Sequence, residues 1–376
     1  MQKIIILIGC IFVSNCGFAK ALGDEDEKAT VHGWVIGGAF HEGKTIEHSP
    51  LLAPILERPT VAVGGEIFLS RQTYGAHRWN TFFNYPEYGI CYAFFDVGSP
   101  DYVGMAHCLF PYLNFHFFNN QGRMNLNLRT GAGFAYIEKI YDPETNPLNQ
   151  AFSTHLNIVL NAQLQGVCKI TNAWSFFAGA GITHFSNGAI RMPNLGMNNV
   201  SLFTGISHSF GKENRYIAYK NKTNEKNKNW DCSVFLAGGI KEINPIGGKQ
   251  YFAGDFNIEV TKKHLQYTRF GLSVDVTYDA SEYDCIVFQA LPPPANRLNT
   301  TRIGVSGGYE FLFGKFSLDL FLGRYLHEPN PLYGNVYQRS SLRYPLSDRV
   351  KLSINFRNHK GKADYIGVGF GIRLTK

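Results

Sequence analysis

The sequence predicts an all-β chain: a transmembrane antiparallel β-barrel of eight strands in the N-terminal half, followed by a second, similar β half. Three observations lead there. Aromatic residues reach 14% and glycines number 39, while charged residues make up only 17% of the chain, below the usual quarter of a soluble domain. Segments of roughly 12–14 residues alternate apolar and polar side chains, enough to cross a bilayer at a tilt and longer than an ordinary strand of about five or six. The connections between these segments also tend to alternate between short and long, as turns and loops do at the two rims of such a barrel.

The chain begins with Lys3 and an apolar run, Ile4 to Val13, before Ala19-Lys20-Ala21. That pattern predicts a signal peptide over residues 1–21, cut after Ala21. Val13-Ser14-Asn15 before Cys16 is a poor lipobox, so a lipid anchor there is disfavoured. With the leader removed, Lys3 and Lys20 leave the count of 36 basic residues, so 34 face 29 acidic ones, a net charge of +5. Such a mild excess suits an anionic surface better than nucleic acid. Five cysteines remain, Cys91, Cys108, Cys168, Cys232 and Cys285, widely spaced and without a CxxC pair. Their pattern indicates neither a metal site nor a dense disulfide framework, though it leaves room for one Cys91–Cys108 bridge. Beyond the leader no run of 18 apolar residues predicts a membrane helix.

The alternation is clearest in two neighbouring segments. Met124, Leu126, Leu128, Ala132, Phe134 and Tyr136 share one face against Asn125, Asn127 and Arg129, and Leu156, Ile158, Leu160 and Leu164 oppose Asn157, Asn161, Gln163 and Gln165. Eight such segments are expected at 31–41, 60–72, 88–97, 104–118, 124–137, 154–167, 174–186 and 198–210. Long connections follow the first, fifth and seventh, and the stretch after the second, about 73–87, breaks the rhythm. Residues 211–229 are polar and charged and read as a linker. About eight further segments follow within 230–376, among them Phe270, Leu272, Val274 and Val276 against Ser273 and Asp275. Two tandem eight-stranded barrels fit this count, as does one barrel of about sixteen strands. The linker favours two.

The seventh segment ends in His184-Phe185-Ser186-Asn187-Gly188. With a periplasmic N-terminus, odd-numbered strands run outward, so this end lies at the extracellular rim. Trp174, Phe176, Ala178, Ala180 and Ile182 form its apolar face, and His184 and Ser186 continue that register toward lipid. Polar residues at a rim cost little, about 0–1 kcal/mol even for charges, so the pair has a bland reading as interfacial side chains. It also has a sharp one, since a nucleophile and a base two residues apart on one strand face can approach each other.

This stretch, with Pro193-Asn194-Leu195-Gly196 and a residue fourteen after the histidine, resembles the signature of the outer-membrane lipid A 3-O-deacylase (acyloxyacyl hydrolase) family. The resemblance implies a deacylase-like barrel over 22–210 that hydrolyses an ester-linked acyl chain of lipid A in lipopolysaccharide, acting from the barrel's outer surface in the cell outer membrane, with no cofactor. It implies Ser186 as nucleophile, His184 as general base, and Asn187 and Asn194 as candidates for binding the oxyanion. One position departs: where the family carries a glutamate to orient the histidine, this chain has Asn198. No Asp or Glu occurs from Thr145 to Lys212, which leaves Asp142 or Glu144 of the preceding loop as the nearest carboxylates. An asparagine can fix an imidazole but stabilises its cation less. The rival expectation is a non-catalytic barrel, structural or a small channel.

Other residues read as structure. His155 is expected inside the barrel by parity, and His359 lacks a serine two residues on, so the second half reads as non-catalytic. Lys139 and Arg191 are loop cations within reach of phosphate groups.

Overall fold

The computed structural model describes residues 33–56, 61–118, 122–211, 216–217, 230–244, 246–288, 300–330 and 334–375. The expected leader and most of the expected linker fall outside them. Among the described residues sixteen strands form two closed barrels of eight, so the single sixteen-stranded alternative does not form.

The first barrel comprises β1 (Trp34–Thr45), β2 (Ala62–Gln72), β3 (Glu87–Asp96), β4 (Met105–His116), β5 (Met124–Ile137), β6 (Leu156–Lys169), β7 (Trp174–Ser186) and β8 (Met197–Phe210). Each strand pairs antiparallel with the next, and β8 returns to β1 from Trp34↔Phe210 to Thr45↔Asn199. Closure satisfies every strand edge, which lipid requires because it offers no hydrogen bonds. The outward side chains form an apolar belt that includes Ile36, Phe40, Ile67, Ile90, Leu109, Phe134, Leu164, Phe176, Leu202 and Ile206, all exposed.

The interior combines a buried polar network with a packed apolar cluster. Glu66 is buried beside Arg129, with His41 Nε2 at 3.2 Å and Gln163 Nε2 at 3.1 Å. Phe95, Phe110, Phe152, Val159, Phe185 and Met197 belong to an apolar cluster that runs on past this network, since the His41 ring packs edge-on to Phe95 at 5.4 Å and Arg129 lies over Phe68 and Tyr112. Side chains therefore fill the lumen, as expected at eight strands.

The second barrel comprises β9 (Trp230–Glu242), β10 (Gln250–Leu265), β11 (Thr268–Asp279), β12 (Arg302–Phe313), β13 (Phe316–His327), β14 (Val336–Pro345), β15 (Val350–His359) and β16 (Lys362–Arg373), closed by β16 on β9. Its interior holds Arg302, Arg339, Arg343 and Arg357, all buried. Arg339 Nη1 lies 2.7 Å from Glu259, Arg343 Nη2 2.6 Å from the same carboxylate, and Arg357 Nη2 2.8 Å from Asp255. Each cation is paired, the condition under which buried charge is tolerated. His359 sits in this packing, with Nε2 2.7 Å from Tyr325 Oη.

Three local readings change, and one irregular stretch is filled in. The first strand does not stop at His41: Glu42, Gly43 and Lys44 continue the ladder, because β8 offers partners up to Asn199. His155 precedes β6, so strand parity does not govern it; its ring stacks on outward-facing Tyr136 at 5.3 Å and its Nδ1 meets the Ile137 carbonyl. Cys91 and Cys108 are buried free thiols rather than a disulfide. The irregular stretch after β2 carries a short helix, α1 (Arg78–Phe82). It also receives the chain leaving β8, since Ile217 N–H donates to the Tyr74 carbonyl at 2.8 Å while Ile217 C=O accepts from Tyr85 Oη at 3.0 Å.

Candidate active site

Parity along β7 sets the site. Phe177, Thr183 and Phe185 point inward and are buried, whereas Trp174, Phe176 and Ala180 are exposed outward. His184 and Ser186 continue that outward register and are half-buried. Ser186 pairs in the ladder with Ile158 and His184 with Leu160, so apolar side chains flank the pair on the β6 side.

His184 stands directly opposite Asn198 on β8. Its Nδ1 lies 2.9 Å from Asn198 Oδ1 and its Nε2 3.0 Å from Ser186 Oγ. An amide oxygen can only accept, so the proton sits on Nδ1. Nε2 is then bare and receives the serine hydroxyl, the arrangement a general base needs. The line Ser186–His184–Asn198 is thus continuous in hydrogen bonds and in proton direction.

The two remaining asparagines separate. Asn187 is buried and its Nδ2 donates to Ser153 Oγ at 3.2 Å, while its backbone N–H donates to Asn194 Oδ1 at 3.0 Å. Its side chain therefore braces the loop beneath the site. Asn194 has its oxygen committed to that bond, which leaves its Nδ2 as the donor.

The loop that carries Asn194 is tied down locally. Leu195 N–H and Gly196 N–H donate to the carbonyls of Gln150 and Ala151, both at 3.1 Å, and the Leu195 side chain packs on the Phe152–Phe185 cluster. Gly196 has φ of +67°, and a Cβ there would lie 2.4 Å from the Phe185 carbonyl oxygen, 3.2 Å from Ser186 Cβ and 3.4 Å from His184 Cε1. Only glycine allows the loop to lie against the pair.

Among the described residues neither Asp142 nor Glu144 bonds to His184, whose partners are Asn198 and Ser186. Asp142 Oδ1 accepts from the backbone N–H of Thr145 and Glu144 and from Thr145 Oγ1, and these bonds hold its carboxyl below the usual range. Lys139 is likewise occupied, its Nζ meeting the carbonyls of Pro100 and Asp101.

One neighbour escaped the sequence reading. His48, three residues past β1, has Nδ1 3.3 Å from Asn198 Nδ2 and Nε2 3.2 Å from the Leu195 carbonyl. The only available signal was barrel closure, which brings the outer end of β1 beside the start of β8.

The fold and site define an outer-membrane β-barrel with a serine, histidine and asparagine aligned on its outer face. The family model described as lipid A 3-O-deacylase (PagL) matches residues 64–207, and the acyloxyacyl hydrolase C-terminal domain matches residues 230–376. Together they cover most of the chain, which belongs to the lipid A 3-O-deacylase family and is an outer-membrane ester hydrolase. No curated protein matches the chain in sequence. Among solved structures, a triple mutant of the Rhodopseudomonas blastica porin aligns at 8% identity over 92% of this chain and 100% of its own, with a TM-score of 0.18. The siderophore receptor PirA from Acinetobacter baumannii aligns at 9% identity over 88% of this chain and 68% of its own, with a TM-score of 0.22. Superpositions that loose carry no argument.

Proposed function

We propose that the chain removes an ester-linked acyl chain from lipid A by serine catalysis, with Ser186 as nucleophile and His184 as base. The observation that carries this is the hydrogen-bonded line from Ser186 Oγ through His184 to Asn198 Oδ1, set on the lipid-facing register of β7. Ser186 Oγ attacks the ester carbonyl as its proton passes to His184 Nε2. The tetrahedral oxyanion is met by Asn194 Nδ2, the donor left uncommitted by the loop's own bonding. Collapse breaks the ester C–O bond, and His184 returns its proton to the departing sugar hydroxyl. Water, deprotonated by the same imidazole, then attacks the acyl-serine; the Oγ–acyl bond breaks, His184 returns the proton to Ser186 Oγ, and a fatty acid leaves.

Asn198 fixes the imidazole and its tautomer but carries no charge to stabilise the imidazolium, so turnover is expected to be slower than with a carboxylate there. The channel reading is disfavoured by the filled lumens, with Glu66 and Arg129 buried in the first barrel and four buried arginines in the second. Mass spectra of lipid A from cells with and without the protein test the proposal. The expected result is a species lighter by one ester-linked acyl chain; unchanged spectra defeat it.

A further inference from the structure

An asparagine in the third position raises a problem that a carboxylate does not. Its amide has a donor end as well as an acceptor end. Turned the wrong way, Nδ2–H would face His184 Nδ1, and the imidazole proton would move to Nε2. The serine hydroxyl would then meet an N–H instead of a lone pair, and the base would be lost.

We infer that His48 is a positioning residue that holds the Asn198 amide with its oxygen toward His184. The inference rests on the serine mechanism proposed above. His48 Nε2 lies 3.2 Å from the Leu195 carbonyl, which can only accept, so Nε2 carries the ring proton. A neutral ring then has a bare Nδ1, and that atom is 3.3 Å from Asn198 Nδ2. The amide must donate there and present Oδ1 to His184 Nδ1 at 2.9 Å. With the His48 proton on Nε2, one direction runs along the whole line: Ser186 donates to His184, His184 to Asn198, Asn198 to His48, and His48 to the Leu195 carbonyl.

The backbone supports the same placement. Ile46 N–H donates to the Asn198 carbonyl at 2.8 Å, so the loop bearing His48 is joined to the residue it orients. Leu195 is joined in turn to Gln150. The Ile46 carbonyl also lies 3.3 Å from His48 Nδ1, and a neutral ring can donate to only one of the two carbonyls; the shorter contact, to Leu195, takes the proton to Nε2. In that tautomer Nδ1 has a lone pair and accepts from the amide.

The test is a double-mutant cycle on the full chain, with release of fatty acid from lipid A as the readout. In the native Asn198 enzyme, His48→Ala is expected to lower kcat about tenfold with KM unchanged, because the amide then samples both orientations. In an Asn198→Glu enzyme the third group has no wrong end, and the same His48→Ala change is expected to cost less than about threefold. Equal losses in the two backgrounds would overturn the positioning role and mark His48 as merely structural. Ser186→Ala in the same assay keeps the two claims apart. If it retains full activity, the serine mechanism falls and the positioning role with it; if it is inactive while the His48 losses are equal, only the positioning role falls.

Discussion

His184 and Asn198 face each other across the β7–β8 ladder, with Nδ1 2.9 Å from Oδ1. Strand pairing alone brings the two side chains together, so the third member of the site is set by register and not by a mobile loop. What the register leaves open is charge, and the amide supplies none.

Asn198→Glu is therefore expected to raise kcat roughly tenfold, about 1.4 kcal/mol of added transition-state stabilisation. Asn198→Ala is expected to lower it by a factor of roughly 10 to 100 by freeing the imidazole tautomer. Initial rates of fatty-acid release at saturating lipid A check both directions, and a Glu variant slower than the native enzyme contradicts the account.

Gly196→Ala places a methyl group where 2.4 Å separates it from the Phe185 carbonyl oxygen, at a φ of +67°. The strain is on the order of 1–2 kcal/mol, and the loop must lift away from Ser186. Activity is expected to fall more than about tenfold while the barrel still folds. Heat-modifiable migration on gels, which follows barrel folding, measured beside activity separates these effects.

The two loop asparagines are expected to differ. Asn194→Ala removes the proposed oxyanion donor and should cost about 100-fold in kcat with little change in KM. Asn187→Ala acts through its bond to Ser153 Oγ, so Ser153→Ala should reproduce its smaller loss, and the double variant should be no worse than either single one. Additive losses at Asn187 and Ser153 would show that the two residues act separately.

Glu66→Ala leaves Arg129 buried without its carboxylate. A loss of about 3–5 kcal/mol is expected, as for other broken buried pairs, with a smaller loss for the Glu66→Ala, Arg129→Ala double variant. Urea unfolding of the protein in lipid vesicles measures both.

Much of this was legible in the chain. Alternation gave the strand faces, because a period of two admits only two registers, and one of them places Trp174 and Phe176 in lipid with His184 and Ser186 beyond them. Asn198 was picked out by the family resemblance, which expects an orienting residue fourteen after the histidine, and the β7–β8 ladder sets it opposite His184. The role of His48 was not legible. Glu42 and Lys44 look like the end of a strand, yet they point outward at the rim, where charge is cheap, and β1 continues to Thr45 before the loop turns toward Asn198. The division between Asn187 and Asn194 was hidden too, since it depends on Ser153, which the sequence places thirty-four residues away.

The central claim is that Ser186, activated by His184, cleaves the acyl ester. Its most direct measurement is fatty-acid release from lipid A by the purified native protein and by Ser186→Ala, both shown to be folded. The account predicts release by the native protein and a loss on the order of 1000-fold or more in the variant; comparable rates from the two would contradict it.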